Sequence, residues 1–153
     1  MAIEAPVSRY KRTNLKIYIL VCVLAALWFA FDGYVNRKFI EKNTNEDGTA
    51  NSTLLLNRGA APVLALGAVF FGVWLFTVKD KKVVADEQEL VVAGKRRIPY
   101  DAIESIDKTH FERKGFFIIA YRSESGGEKQ CRLNNRHFDN LHSILDHLVA
   151  QIS

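Results

Sequence analysis

Residues 59–78, Gly-Ala-Ala-Pro-Val-Leu-Ala-Leu-Gly-Ala-Val-Phe-Phe-Gly-Val-Trp-Leu-Phe-Thr-Val, carry no charge and lie between Arg58 and Lys79. An α-helix rises about 1.5 Å per residue, so twenty such residues cover about 30 Å, the thickness of a bilayer's hydrocarbon core. The run predicts a transmembrane helix over 59–78. A buried core helix is the competing reading. The 73 or so remaining residues could hardly wrap a wholly apolar helix on every side.

Working back, Ile17–Phe31 is a second uncharged run. It is shorter and spans only if Leu15, Lys16 and Asp32–Val35 sit in the headgroup zone, with Lys16 snorkelling outward. It predicts a transmembrane helix over 14–35. A cleaved signal peptide would explain the basic residues Arg9, Lys11, Arg12 and Lys16. The far end, Trp28-Phe29-Ala30-Phe31-Asp32, lacks the small-x-small pattern that cleavage needs.

The flanks set the topology. The segment 1–16 has a formal charge of +3, the loop 32–58 is neutral, and 79–153 has thirteen basic against twelve acidic residues. Positive residues stay on the cytoplasmic side, so both termini are expected there. The chain then divides into a flexible basic tail over 1–13, two helices, an extracytoplasmic loop over 36–58 and a cytoplasmic domain over 79–153. The loop's middle, Asn43–Thr53, reads as exposed or disordered. The sequon Asn51-Ser52-Thr53 is short and common. The basic excess is mainly a topology signal and does not mark a nucleic-acid-binding chain.

In the second helix Ala61, Ala65, Ala68 and Gly72 recur at steps of four, three and four. Such a face lets helix backbones approach closely, against Ala25, Ala26 and Ala30 of the first helix or against another protein. The plain alternative is that membrane helices are rich in Ala and Gly in any case.

Beyond Lys79 the pattern turns to short β-prone runs: Val83–Ala85, Glu89–Ala93, Arg96–Tyr100, and one more through Ile103, Ile106 and Lys108-Thr109-His110. Phe116–Arg122 is a strong strand, joined through Ser125-Gly126-Gly127 to Lys129–Leu133. An apolar stripe of Phe138, Leu141, Leu145, Leu148 and Ile152 predicts a closing helix from Arg136 to Ile152, capped by Asn134 or Asn135. The fold class is thus a two-helix transmembrane hairpin followed by an α+β domain.

Gly94-Lys95-Arg96-Arg97-Ile98-Pro99-Tyr100-Asp101-Ala102-Ile103-Glu104-Ser105-Ile106 resembles the G-x-x-x-I-P-aromatic-x-x-I-x-x-I core of bacterial pleckstrin-homology-like (PH-like) membrane proteins. Lys114-Gly115-Phe116 and the closing helix agree with it. The resemblance implies an antiparallel sheet closed by a C-terminal helix, on a chain in the bacterial inner membrane. A full PH fold has seven strands, and this sequence offers five or six after the hairpin. That leaves a trimmed sheet, or one completed by a partner or a second copy. No phosphoinositide signature is recognisable, so the resemblance speaks to fold and not to lipid specificity.

Chemistry is sparse. Asp139, His142 and Asp146 share a helix face and could ligate a metal, though a solvated face with i,i+4 pairing is the simpler reading. Cys131 reads as a half-buried sheet cysteine, and Cys22 lies too far off to pair with it. No nucleophile elbow, phosphate loop, dinucleotide fingerprint or zinc motif occurs, and no cofactor is expected. Lys79, Lys81 and Lys82 flank the membrane, and Lys95, Arg96 and Arg97 cluster at a turn. Each basic residue near an anionic leaflet contributes about 1 kcal/mol. They are candidate contacts for lipid headgroups or a partner, or they serve topology and solubility alone. The sequence therefore points to a non-enzymatic anchored module. It would be a scaffold or accessory subunit alongside other membrane subunits or its own copies, or alternatively a sensor of anionic lipid headgroups.

Overall fold

The computed structural model describes residues 2–123 and 126–152. The chain separates into two compact units. One holds the helical hairpin, residues 13–76, and the other joins residues 1–12 to residues 77–153.

In the hairpin unit, helix α1 (Arg9–Ala30) continues into a π-helical turn at Phe31–Val35. A short helix α2 (Arg37–Lys42) follows, and helix α3 runs from Ser52 to Val78. Both long helices are long and apolar enough to cross a membrane. Their apolar side chains stand largely outward, Trp28 at 71%, Leu66 at 70% and Phe76 at 70% exposure. A core helix of a soluble domain would bury them.

Helix α3 starts seven residues before the expected boundary, because Asn51 caps it: its Oδ1 accepts the Leu54 amide at 3.0 Å. The stretch 43–53, read as exposed or disordered, is exposed over 45–49 and is held by local hydrogen bonds. Asn36 caps α2 by accepting the Phe39 amide, Thr44 and Ala50 form an isolated bridge, and Asp47 accepts both the amide and the hydroxyl of Thr49. At this end Arg58 donates from Nε to the Gly33 carbonyl at 2.9 Å and lies 5.6 Å from the Tyr34 ring centroid. A Cβ at Gly33 would stand 3.2 Å from Arg58 Cγ and 3.3 Å from the Arg58 amide nitrogen, so Arg58 would have to shift to admit one.

In the second unit the expected flexible tail is a strand. Residues Ile3–Pro6 form β1, which pairs antiparallel with β2 (Lys82–Ala85), matching Ala5 to Val83. A four-residue stretch of alternating burial gains its ladder bonds only by meeting β2, so nothing local in the N-terminal sequence announces it. Strands β3 (Glu89–Val92) and β4 (Arg96–Pro99) complete a sheet of order β1-β2-β3-β4. Strands β5 (Ile103–Asp107), β6 (Phe116–Arg122) and β7 (Glu128–Asn134) form a second antiparallel sheet.

Lys108–His110, expected to extend a strand, instead turns. The Asp107 carboxylate accepts the Thr109 amide, and a single-turn helix α4 (Phe111–Lys114) follows. It ends on Gly115 at φ 68°, packed against Asn135, where a Cβ would be strained. Ser125 of the expected hairpin turn lies outside the described residues.

Helix α5 (Leu141–Ile152) is five residues shorter than expected. Arg136 to Phe138 are held by the N-terminal segment instead. Phe138 bridges to Val7, and the Ser8 amide donates to the His137 carbonyl. Asn140, at φ 59°, replaces Asn134 and Asn135 as the helix-start residue. Its Oδ1 accepts the Ser143 hydroxyl, and its Nδ2 donates to the Glu4 carbonyl. Leu141, Ile144, Leu145 and Leu148 of α5 close a core made of Ala5, Val83, Ala85, Leu90 and Ile98 from the first sheet and Phe117, Ile119, Cys131 and Leu133 from the second.

Candidate functional site

The β3–β4 connection is a tight turn. Ala93 and Gly94 both have positive φ, 55° and 68°, and the Lys95 amide donates back to the Val92 carbonyl at 3.1 Å. Positive φ at both central positions gives the twist that matches paired strands. The turn leaves Lys95, Arg96 and Arg97 exposed at the start of β4. It also lies at the end of the sheet where the chain arrives from α3, because the Ala93 amide donates to the Lys82 carbonyl at 2.9 Å.

These three cations border a cleft of about 860 Å³ that is also lined by Arg122, Lys129 and Arg132 from β6 and β7. No acidic side chain lines it among the described residues. Arg97 is paired with Glu89 at 3.1 Å and Arg122 with Glu104 at 2.7 Å. Arg132 is fixed differently: its guanidinium carbon sits 3.6 Å from the Phe116 ring centroid, a close cation–π contact. The cleft floor includes Cys131 and Leu133, which are buried, and the half-buried Phe138.

Two strand edges meet this cleft. Among the described residues β4 pairs only with β3, and β7 only with β6. The Ser123 amide donates to Gly127, and the Asn135 amide to Gly115. Counting in twos between these rungs places Lys129, Cys131 and Leu133 in bonded pairs with β6. The amides and carbonyls of Gln130 and Arg132 therefore point to the open edge. On β4 the Tyr100 amide donates to Gln88, so Arg97 and Pro99 occupy the outward positions, and Pro99 has no amide to offer.

Lys79, Lys81 and Lys82 do not line the cleft. Lys79 lies 3.9 Å from Asp80, and Lys82 pairs with Glu4 across β1 and β2. The chain crossing at Ser8 gathers further cations. Ser8 is fully buried, its hydroxyl donates to the Arg136 carbonyl at 2.6 Å and accepts the Lys11 amide, and Lys81 accepts the Val7 amide. His137 beside this crossing is held below its ordinary value, first by burial and then by the nearby charges of Lys11 and Arg132.

The predicted small-residue face of α3 is only partly used. Ala61 is buried, Ala68 and Gly72 are half-buried, and Ala65 is exposed. The close approach occurs at Gly67, where a Cβ would stand 3.6 Å from Cys22 Sγ, while a Cβ at Gly72 would meet nothing within 4 Å. Ala25, Ala26 and Ala30 of α1 are half-buried. Asp139, His142 and Asp146 do not converge. Asp139 accepts the Arg9 amide, His142 sits 3.8 Å from Asp146, and no cluster of three potential metal ligands occurs among the described residues.

The sequence singles out Lys95, Arg96 and Arg97, which line the cleft, but not Arg122, Lys129 and Arg132, which line it with them. Their exposure on a hairpin was legible, but which edge faced β4 was not. No family model, curated protein or solved structure matches this chain.

Proposed function

We propose that this chain is a non-enzymatic, membrane-anchored PH-like scaffold, an accessory subunit that holds a partner protein at the cytoplasmic face of a bacterial inner membrane. The observation that carries this reading is the pairing of β1 with β2. The helical hairpin is thereby an insertion between two neighbouring strands of the β-domain. Such a domain is stitched to its anchor at two points, as a module whose task is position requires.

The same pairing supports a topology with both ends on one side, since Ile3–Pro6 can reach Lys82–Ala85 only there. The basic flanks of both helices favour the cytoplasmic side. The outward apolar faces of α1 and α3 support insertion in lipid. The PH-like reading gains from a four-stranded and a three-stranded antiparallel sheet closed by a C-terminal helix, with β1 supplying the strand that the count after the hairpin lacked.

Purification of the full chain in a mild detergent tests the function, with a stoichiometric membrane or cytoplasmic protein expected alongside it. A lone monomer under every mild condition sinks the reading.

One observation favours a second reading, docking on anionic lipid headgroups. The Lys95–Arg97 turn lies beside Lys82, four residues past the end of α3. Full-length protein in phosphatidylglycerol nanodiscs would then show slower amide exchange at Lys95 and Arg96 than in phosphatidylcholine. Identical exchange in the two lipids would count decisively against it.

A further inference from the structure

Six cations line one cleft, and no carboxylate among the described residues answers them from within it. Two are paired at the rim, with Glu89 and Glu104. Lys95, Arg96 and Lys129 make no ion pair among the described residues. These cations are solvent-exposed, and their clustered like charge sums to a positive potential along the cleft, so the cleft favours an anionic occupant.

Its shape narrows the choice. Arg96 and Arg97 are consecutive on β4, and Cys131, Arg132 and Leu133 are consecutive on β7, yet all line it. Successive residues of a strand point to opposite faces, so consecutive lining residues mean that the cleft runs along the strand edges. The open edge of β7 offers the backbone groups of Gln130 and Arg132, and β7 is seven residues long with no proline or glycine to blunt it. The edge of β4 is short and ends in Pro99. From Lys129 to Arg132 the strand extends roughly 10 Å at about 3.4 Å per residue. These two cations also point to opposite faces of β7, and with Lys95, Arg96 and Arg97 on the other side of the cleft they suit several carboxylates along a chain better than one headgroup phosphate, whose field is screened within about 8–10 Å.

We propose that the seam between β4 and β7 accepts an extended acidic segment of a partner protein, which adds to the free edge of β7 as a further strand. Main-chain bonds to Gln130 and Arg132 hold it, and carboxylates on its two faces meet Lys129 on one side and Arg132 on the other. This rests on the scaffold reading and names the chemistry of the partner.

The test uses the full chain in phosphatidylcholine nanodiscs at physiological salt. The probe is a blocked ten-residue peptide, Glu-Glu-Val-Val-Glu-Glu-Val-Val-Glu-Glu, which carries carboxylates on both faces of a strand, with a second version N-methylated at alternate residues. The plain peptide is expected to slow amide exchange at Gln130 and Arg132 by at least about tenfold. The N-methylated peptide keeps its charge but cannot complete a ladder, and is expected to bind at least about tenfold more weakly. The double variant Lys129→Glu, Arg132→Glu should lose a similar factor, with exchange at Leu90 and Ile119 unchanged as a check on folding.

Equal binding of the two peptides overturns the proposal, as does unslowed exchange at Gln130 and Arg132 under saturating peptide. Protection of those two amides by phosphatidylglycerol nanodiscs, in which the peptide no longer binds, overturns it in favour of a headgroup site. The two levels separate in the purified complex. A partner retained undiminished by the double variant removes the seam and leaves the scaffold. Absence of any partner removes the scaffold, and the seam's occupant with it.

Discussion

Ala5 and Val83 face each other across an antiparallel ladder, both fully buried, although the whole helical hairpin lies between them in the chain. The N-terminal strand thus belongs to the domain at the far end of the protein. Ala5→Asp places a carboxylate in that core without a partner. Domain stability is expected to fall by about 3 kcal/mol or more. Denaturant-dependent amide exchange at Leu90 and Ile119 reads this out, and an unchanged midpoint would mean that β1 is dispensable.

Ser8 closes the crossing between the N-terminal segment and the turn before α5, donating to Arg136 and accepting from Lys11. Ser8→Ala leaves the Arg136 carbonyl and the Lys11 amide, both part-buried, short of one partner each. A loss of about 1–2 kcal/mol is expected in the same exchange measurement. Ser8→Thr keeps the hydroxyl and should lose less if its extra methyl is accommodated.

Gly67 is where α1 and α3 approach, against Cys22. Gly67→Cys should form a disulfide with Cys22 on mild copper–phenanthroline oxidation, because the new Cβ falls within bridging reach. Gly72→Cys, with open space around it, should not. Mass spectrometry of the oxidised chain distinguishes them, and cross-linking at position 72 instead of 67 would refute this register.

Ala93 holds a left-handed conformation that an alanine adopts at a cost. Ala93→Asn supplies the residue preferred before Gly94 in such a turn. A gain of about 0.5–1 kcal/mol is expected, a rise of a few degrees in the domain's melting temperature. Ala93→Val should act in the opposite direction.

His137 has its folded pKa depressed from the ordinary 6.5 by burial, Lys11 and Arg132. The unfolded chain therefore binds the proton more readily. The stability contributed by neutral His137 is full above about pH 6.5 and is lost as pH falls toward the folded pKa. Arg132→Gln removes one repelling charge and should raise the His137 titration midpoint, followed by the imidazole carbon-bound proton resonances. An unmoved midpoint would mean that Arg132 contributes nothing and that burial and Lys11 set it.

Composition and order were legible along the chain. Uncharged runs at Ile17–Phe31 and Gly59–Val78 located both long helices, and alternation located Phe116–Arg122. Local caps moved the helix boundaries, Asn51 for α3 and Asn140 for α5. The cleft was half legible. Lys95, Arg96 and Arg97 stand together in sequence, whereas Arg122, Lys129 and Arg132 join them only through the arrangement of two sheets.

Hydrophobicity and charge act locally, so the sequence by itself determined the two apolar helices, the polar β-rich segment after them and the closing amphipathic helix. Strand partnership is decided by bonds and packing between distant segments. Only the tertiary structure therefore showed that Ile3–Pro6 is a strand of the C-terminal domain, that the hairpin is inserted between paired strands, and that β4 and β7 leave a basic seam between them.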